Sequence, residues 1–171
     1  MERTIAKKVC LYGFFTAAAL LFGYVEYLVP LNFIAPGIKL GFSNGIVLLL
    51  IIFKKDKSAF FINVARILLS GFLFVSLFSL AFSLTAGITS TIAMILLSKL
   101  KGCGIIGISV CGSIIHNATQ ILVALCTVGA GVFFYLPMLL ISGVIAGMVV
   151  GLLVWIICNK LNVNKLFEGV L

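Results

Sequence analysis

The chain has 171 residues and a net charge of +8, yet only 9% of it is charged, 63% is hydrophobic and its mean hydropathy is +1.35. Soluble domains are about a quarter charged, so this composition excludes one: the polar surface is too scarce. The positive charge borders apolar runs and lacks the aromatic or glycine-rich setting of a nucleic-acid surface. It reads as a topology signal that also contacts anionic lipid, with no nucleic-acid partner.

Ten of the twelve basic residues fall in four clusters, Arg3/Lys7/Lys8, Lys54/Lys55/Lys57, Lys99/Lys101 and Lys160/Lys165. Cytoplasmic loops carry the Lys/Arg excess, which places all four clusters on one face of a bilayer. Successive clusters are roughly 41 to 58 residues apart, and one crossing takes about 20 helical residues, so each interval fits an out-and-back pair. The expected fold is an all-α integral membrane protein with six transmembrane helices, both termini cytoplasmic, and a single domain over 1–171.

In chain order, helix 1 is expected over 9–28. It has a signal-peptide-like start, but cleavage would expose another apolar chain, so an uncleaved helix fits better. Its small pairs Gly13/Ala17 and Ala19/Gly23 permit close helix approach, either for internal packing or for docking another membrane subunit. The segment from Val29 to Gly37 holds Pro30 and Pro36 and is expected as an external, extended loop, apolar enough to fold back as a lid. Helix 2 is expected over 38–53. The 41 residues from Ser58 to Ser98 would make a helix about 60 Å long, twice the core thickness, so they must reverse. Ser83-Leu84-Thr85-Ala86-Gly87 is the best turn candidate, giving helix 3 over 58–81 and helix 4 over 86–100. Helix 5 is expected over 105–127, an external turn at Gly129-Ala130-Gly131, and helix 6 over 134–159.

Polar residues inside spans are costly and therefore informative. Glu26 and Lys39 lie near the external ends of helices 1 and 2, beside the proline loop. They read as a charged pair or ligand contacts at a cavity mouth, with interfacial snorkelling as the alternative. Asn44 belongs to the same external end. On helix 5, His116, Asn117 and Gln120 share one stripe in the outer half of the core. A cavity lining is favoured over interhelical bonding, and both groups are expected to face one outward cavity. Asn63 and Arg66 share a face of helix 3, where structural pairing, docking or snorkelling towards the cytoplasm outweighs substrate contact.

No Gly-x-x-x-x-Gly-Lys-[Ser/Thr] run occurs, so the chain itself has no Walker A loop to power transport. Asp56 is the only aspartate, which leaves no Asp-rich Mg²⁺ site for diphosphate chemistry. No nucleophile–base–acid set assembles, so an enzyme is not expected, nor a cofactor or metal. The five cysteines have no Cys-x-x-Cys spacing and mostly fall in spans, where cysteine packs as a small apolar residue.

At Pro36-Gly37-Ile38-Lys39-Leu40-Gly41-Phe42-Ser43-Asn44 and Ile115-His116-Asn117-Ala118-Thr119-Gln120, the chain resembles the Gx transporter family, also labelled heptaprenyl diphosphate synthase component I. That family is similar to the substrate-binding S components of energy-coupling factor transporters. The resemblance implies a six-helix protein that holds a small molecule, vitamin-, cofactor- or quinone-precursor-like, in an outward pocket, with an ATPase and a membrane scaffold as partners. Lys39 and His116 would suit an anionic or polar-ring substrate in a bacterial plasma membrane. Its matched site positions are Lys39, Asn44, His116, Asn117 and Gln120. The Ala-x-x-x-Ala docking motif of S components has its nearest counterparts in Gly13-x-x-x-Ala17 and Ala19-x-x-x-Gly23. The alternative is a non-catalytic membrane accessory subunit of heptaprenyl diphosphate or quinone synthesis.

Overall fold

A computed structural model of the chain describes residues 2–28, 41–73 and 76–160. It is all-helical: α1 (Glu2–Leu28), α2 (Phe42–Ile52), α3 (Asp56–Leu73), α4 (Leu77–Ser98), α5 (Ile105–Val128) and α6 (Leu136–Lys160). A short 3-10 helix, Ala130–Tyr135, leads into α6. Among the described residues, four segments are long and apolar enough to cross a membrane: Val9–Glu26, Phe78–Ser98, Ile105–Val128 and Ala130–Lys160. The protein is a multi-pass membrane protein. The expected proline loop and Lys39 lie outside the described residues.

Side-chain contacts fix how the helices alternate. Ser58 at the start of α3 donates to the Tyr12 hydroxyl in the first half of α1, at 2.9 Å, so the start of α3 lies against that half. Lys99, just past α4, approaches Asp56 at the start of α3 at 3.8 Å, so α4 runs back along α3. Asn117, midway along α5, reaches the Leu139 carbonyl early in α6, while Gly151 late in α6 packs on Ile106 at the start of α5, so α6 runs back along α5. The start of α1, the α2–α3 and α4–α5 connections and the end of α6 therefore share one end of the bundle, which carries the described residues of the basic clusters. We call it the basic end.

Besides α1, which begins at Glu2 rather than at 9, two helix boundaries differ from the expectation. The reversal between α3 and α4 lies before Leu77, and Ser83–Gly87 is inside α4. Ser76 caps the new helix, its hydroxyl accepting from the Ser79 N–H at 3.3 Å. Within α4, Thr85 donates back to the Ala81 and Phe82 carbonyls, each at 3.0 Å, which lets a polar residue remain in a helix. Gly87 is there for contact, not for turning: a Cβ on it would sit 2.3 Å from Cδ1 of Ile67 on α3. The second difference is α2, which begins at Phe42 after Gly41, a left-handed residue with φ 76°. Only glycine holds that conformation without a steric cost.

At 11 residues, α2 rises about 16 Å, half a bilayer core. It is also the most enclosed helix. Val47, Leu48, Leu50 and Ile51 are buried against Ala59, Ile62, Met94, Ile108 and Val154 from α3, α4, α5 and α6. The core therefore gathers around α2 near the basic end. α2 closes with a Schellman turn, in which Lys55 N–H donates to the Leu50 carbonyl and Lys54 N–H to that of Ile51. Lys54 occupies the left-handed position, φ 57°, where glycine is usual.

α6 packs on α5 through Gly143, Gly147 and Gly151, spaced four apart. A Cβ on Gly147 would lie 2.6 Å from Val110 Cα, and one on Gly151 2.8 Å from Ile106 Cα, so the backbones touch. The small pairs on α1 divide. Ala19 is buried, and a Cβ on Gly23 would meet Ser43 of α2 at 3.9 Å. Gly13 has open space around it and Ala17 is exposed.

Candidate functional site

Helix starts leave backbone N–H groups without partners, and a helix N-terminus attracts negative charge. At α2 the cap residue is Gly41, which has no side chain to offer. Glu26 of α1 fills that role from across the bundle: Oε1 accepts from the Phe42 N–H, and Oε2 from the Ser43 hydroxyl at 3.5 Å. The buried Arg66 of α3 donates to Ser43 Oγ, to Asn44 Oδ1 at 2.9 Å and to Asn63 Oδ1 at 2.6 Å. Asn63 passes the network to α4 through the Gly87 carbonyl at 3.0 Å and Thr91 Oγ1 at 2.7 Å.

The register explains why these groups meet. Arg66 is about 15 Å along α3 from its basic end, and Ser43 about 14 Å along α2 from the same end. Arg66 therefore bonds sideways at mid-depth rather than reaching towards the basic face. A guanidinium with five fixed donors suits this position, because it satisfies hydroxyl and amide acceptors on two helices at once. Structural pairing, one of the readings of Asn63 and Arg66, is what the side chains do here. Sequence spacing does not reveal that their partners are Ser43 and Asn44.

The helix 5 stripe lies elsewhere and splits. Asn117 donates to the Leu139 carbonyl at 2.6 Å, fixing α6 against α5 where Gly143 makes room for its amide. His116 is half-buried on the same helix. Gln120 lines a cavity of about 370 Å³ between α4, α5 and the start of α6, at the end away from the basic clusters. Phe78, Phe82 and Tyr135 give it aromatic walls. Ile121, Ala124 and Leu139 form its aliphatic side, and Val128 and Val132 lie at the 3-10 turn. Polar groups come from Gln120, Ser79 and Ser83.

Among the described residues, Gln120 and Ser83 make no side-chain hydrogen bond to the protein. Ser79, by contrast, bonds the Ser76 hydroxyl at 3.2 Å. Of the residues singled out from the sequence, Gln120 lines the cavity, while Glu26 and Asn44 belong to the Arg66 network and Asn117 ties two helices. Sequence reasoning does not pick out Phe78, Phe82, Ser83 and Tyr135. The Ser83 segment has the composition of a turn, and an aromatic wall looks like lipid-facing surface until its neighbours are known.

Gly129 positions the far wall. Its φ of 105° ends α5 and starts the 3-10 helix that carries Tyr135 past the cavity. That conformation is open only to glycine without strain.

Neither a curated protein nor a solved structure matches the chain. The family model for heptaprenyl diphosphate synthase component I matches residues 15–157, most of its length. The chain belongs to the heptaprenyl diphosphate synthase component I family.

Proposed function

We propose that the protein is a substrate-binding membrane component of a small-molecule transporter, of the S-component type, and not an enzyme. One observation carries this reading. Gln120, a strong donor and acceptor in an apolar helix, makes no side-chain hydrogen bond among the described residues and lines a ligand-sized cavity. A polar side chain within a membrane ordinarily finds a partner, and one left open to a cavity is set to meet a solute. The cavity falls within the range typical of small-molecule sites, about 300–1,000 Å³, lined by apolar and aromatic groups with a few polar ones.

In this reading the basic end faces the cytoplasm of a bacterial cell and the cavity opens outward, as the lysine-rich connections support. The chain carries no Walker A sequence, so uptake requires an ATPase and a membrane scaffold as partners. The outward small-residue face of Gly13 and Ala17 suits contact with that scaffold. Of the other expected contacts, Lys39 lies outside the described residues and His116 is not in the described lining of this cavity.

The family description favours a second reading, a non-catalytic membrane subunit serving heptaprenyl diphosphate synthesis. Two measurements separate them. Mass spectrometry of the detergent-extracted protein should reveal a co-purifying small molecule that is lost in Gln120→Leu. Affinity purification at native expression should recover a coupling ATPase. Recovery of a soluble prenyl synthase, with no small molecule bound, would overturn transport in favour of the accessory role.

A further inference from the structure

The geometry points to an uncharged ligand: we infer that the cavity takes a molecule with a flat, one- or two-ring apolar body and an amide- or carbonyl-type edge. This rests on the cavity being the ligand site, and adds what kind of molecule fills it. Among the described residues, its lining contains no Lys, Arg, Asp, Glu or His. Among the described residues, the charges within the bundle are committed elsewhere, with Arg66 bonded to Ser43, Asn44 and Asn63, and the partly buried Glu26 to α2. Among the described residues an ionised ligand group would find no counter-charge in the cavity to offset its lost water, a heavy penalty in an apolar setting.

The lining also specifies what is favoured. Phe78 and Phe82 lie with ring centroids 4.9 Å apart at an interplanar angle of 55°, presenting faces and edges against which a ring can pack. Gln120 offers an N–H₂ donor beside a carbonyl acceptor, the complement of an amide, lactam or imide edge. Ser83, also without a protein partner among the described residues, adds a hydroxyl that donates or accepts. The volume of about 370 Å³ sits at the small end of ligand sites, which suits one or two rings.

The test uses three probes of one shape and different charge: 2-naphthamide, 2-naphthoate and 2-naphthamidine. The full chain in lipid nanodiscs is assayed by equilibrium dialysis, with empty nanodiscs subtracting partition into lipid. The neutral amide should bind at least about tenfold more tightly than either ion. Gln120→Leu should weaken it by about tenfold, one hydrogen bond's worth. Ala124→Phe, or Ala124→Leu if the larger residue prevents folding, should abolish binding with the melting midpoint retained.

If a charged probe binds as tightly as the amide and Ala124→Phe still abolishes binding, the inference fails while the cavity remains the site. It fails in the same way if Gln120→Leu has no effect on amide binding. If no probe binds, or binding ignores the Ala124 substitutions, the cavity is not a ligand site and both readings fall.

Discussion

On the α1–α3 side of the bundle, Arg66, Asn63, Asn44, Ser43 and Glu26 spend their hydrogen bonds on one another and on α2 and α4. On the α4–α6 side, the helices meet through glycines, a Thr89–Thr119 hydroxyl pair at 3.0 Å and one Asn117 bond, and among the described residues Gln120 and Ser83 stay open to a cavity. Polarity alone does not mark a binding residue in a membrane. The mark is whether neighbouring helices have already satisfied it. By that measure the charged cluster is framework, and the proposed site centres on the single glutamine.

The sharpest way to break this comparison is Arg66→Ala. It strands acceptors on two helices, and the expected loss is about 3–5 kcal/mol, the range for removing one partner from a buried charged network. Thermal unfolding in detergent measures it. A loss below about 1 kcal/mol, or a stable variant with weakened probe binding, would make the cluster part of the site.

Gly147→Val should come next, at about 1–3 kcal/mol, because its side chain enters the space of Val110 Cα. Since α6 also carries a cavity wall, its probe affinity should fall with stability, and unchanged affinity would show that α5–α6 spacing does not set the cavity. Asn117→Ala should cost about 0.6–1.7 kcal/mol, the span measured for hydrogen bonds between membrane helices. Thermal melts of both variants in one detergent allow the ranking to be read directly.

Gln120→Leu should leave stability within about 0.5 kcal/mol of the parent, having no bond to lose among the described residues, while binding of the neutral probe drops. A clear destabilisation would move Gln120 into the framework. The smallest effect has the opposite sign. Lys54→Gly should raise stability by about 0.5–1 kcal/mol by relieving the left-handed residue that closes α2. No gain would mean that Lys54 compensates through contacts of its own.

Much of this is legible in the sequence. The charge clusters predict alternating helices, Gly129 the break after α5, and the polar stripe on α5 contains the residue that lines the cavity. The α3–α4 reversal is misplaced because serine, threonine and glycine signal turns in water, while in an apolar helix hydroxyls bond back to their own carbonyls and glycine admits a neighbour. The Gly143/Gly147/Gly151 spacing is equally visible, but the small pairs on α1 carry the same signal, and spacing alone does not say which of them meets a helix.

Composition and charge spacing determined that this chain is a bundle of membrane helices and where most of them end, since those properties follow from burial of apolar length and from the cost of moving lysines. Only the tertiary structure decided which polar residues pair. Arg66 finds Ser43 because α2 and α3 share a register, and Gln120 finds no protein partner among the described residues because α4 and α6 stand back from it. Hydrogen bonding is short-ranged and directional, so helix periodicity can place a side chain on a face without saying what stands opposite.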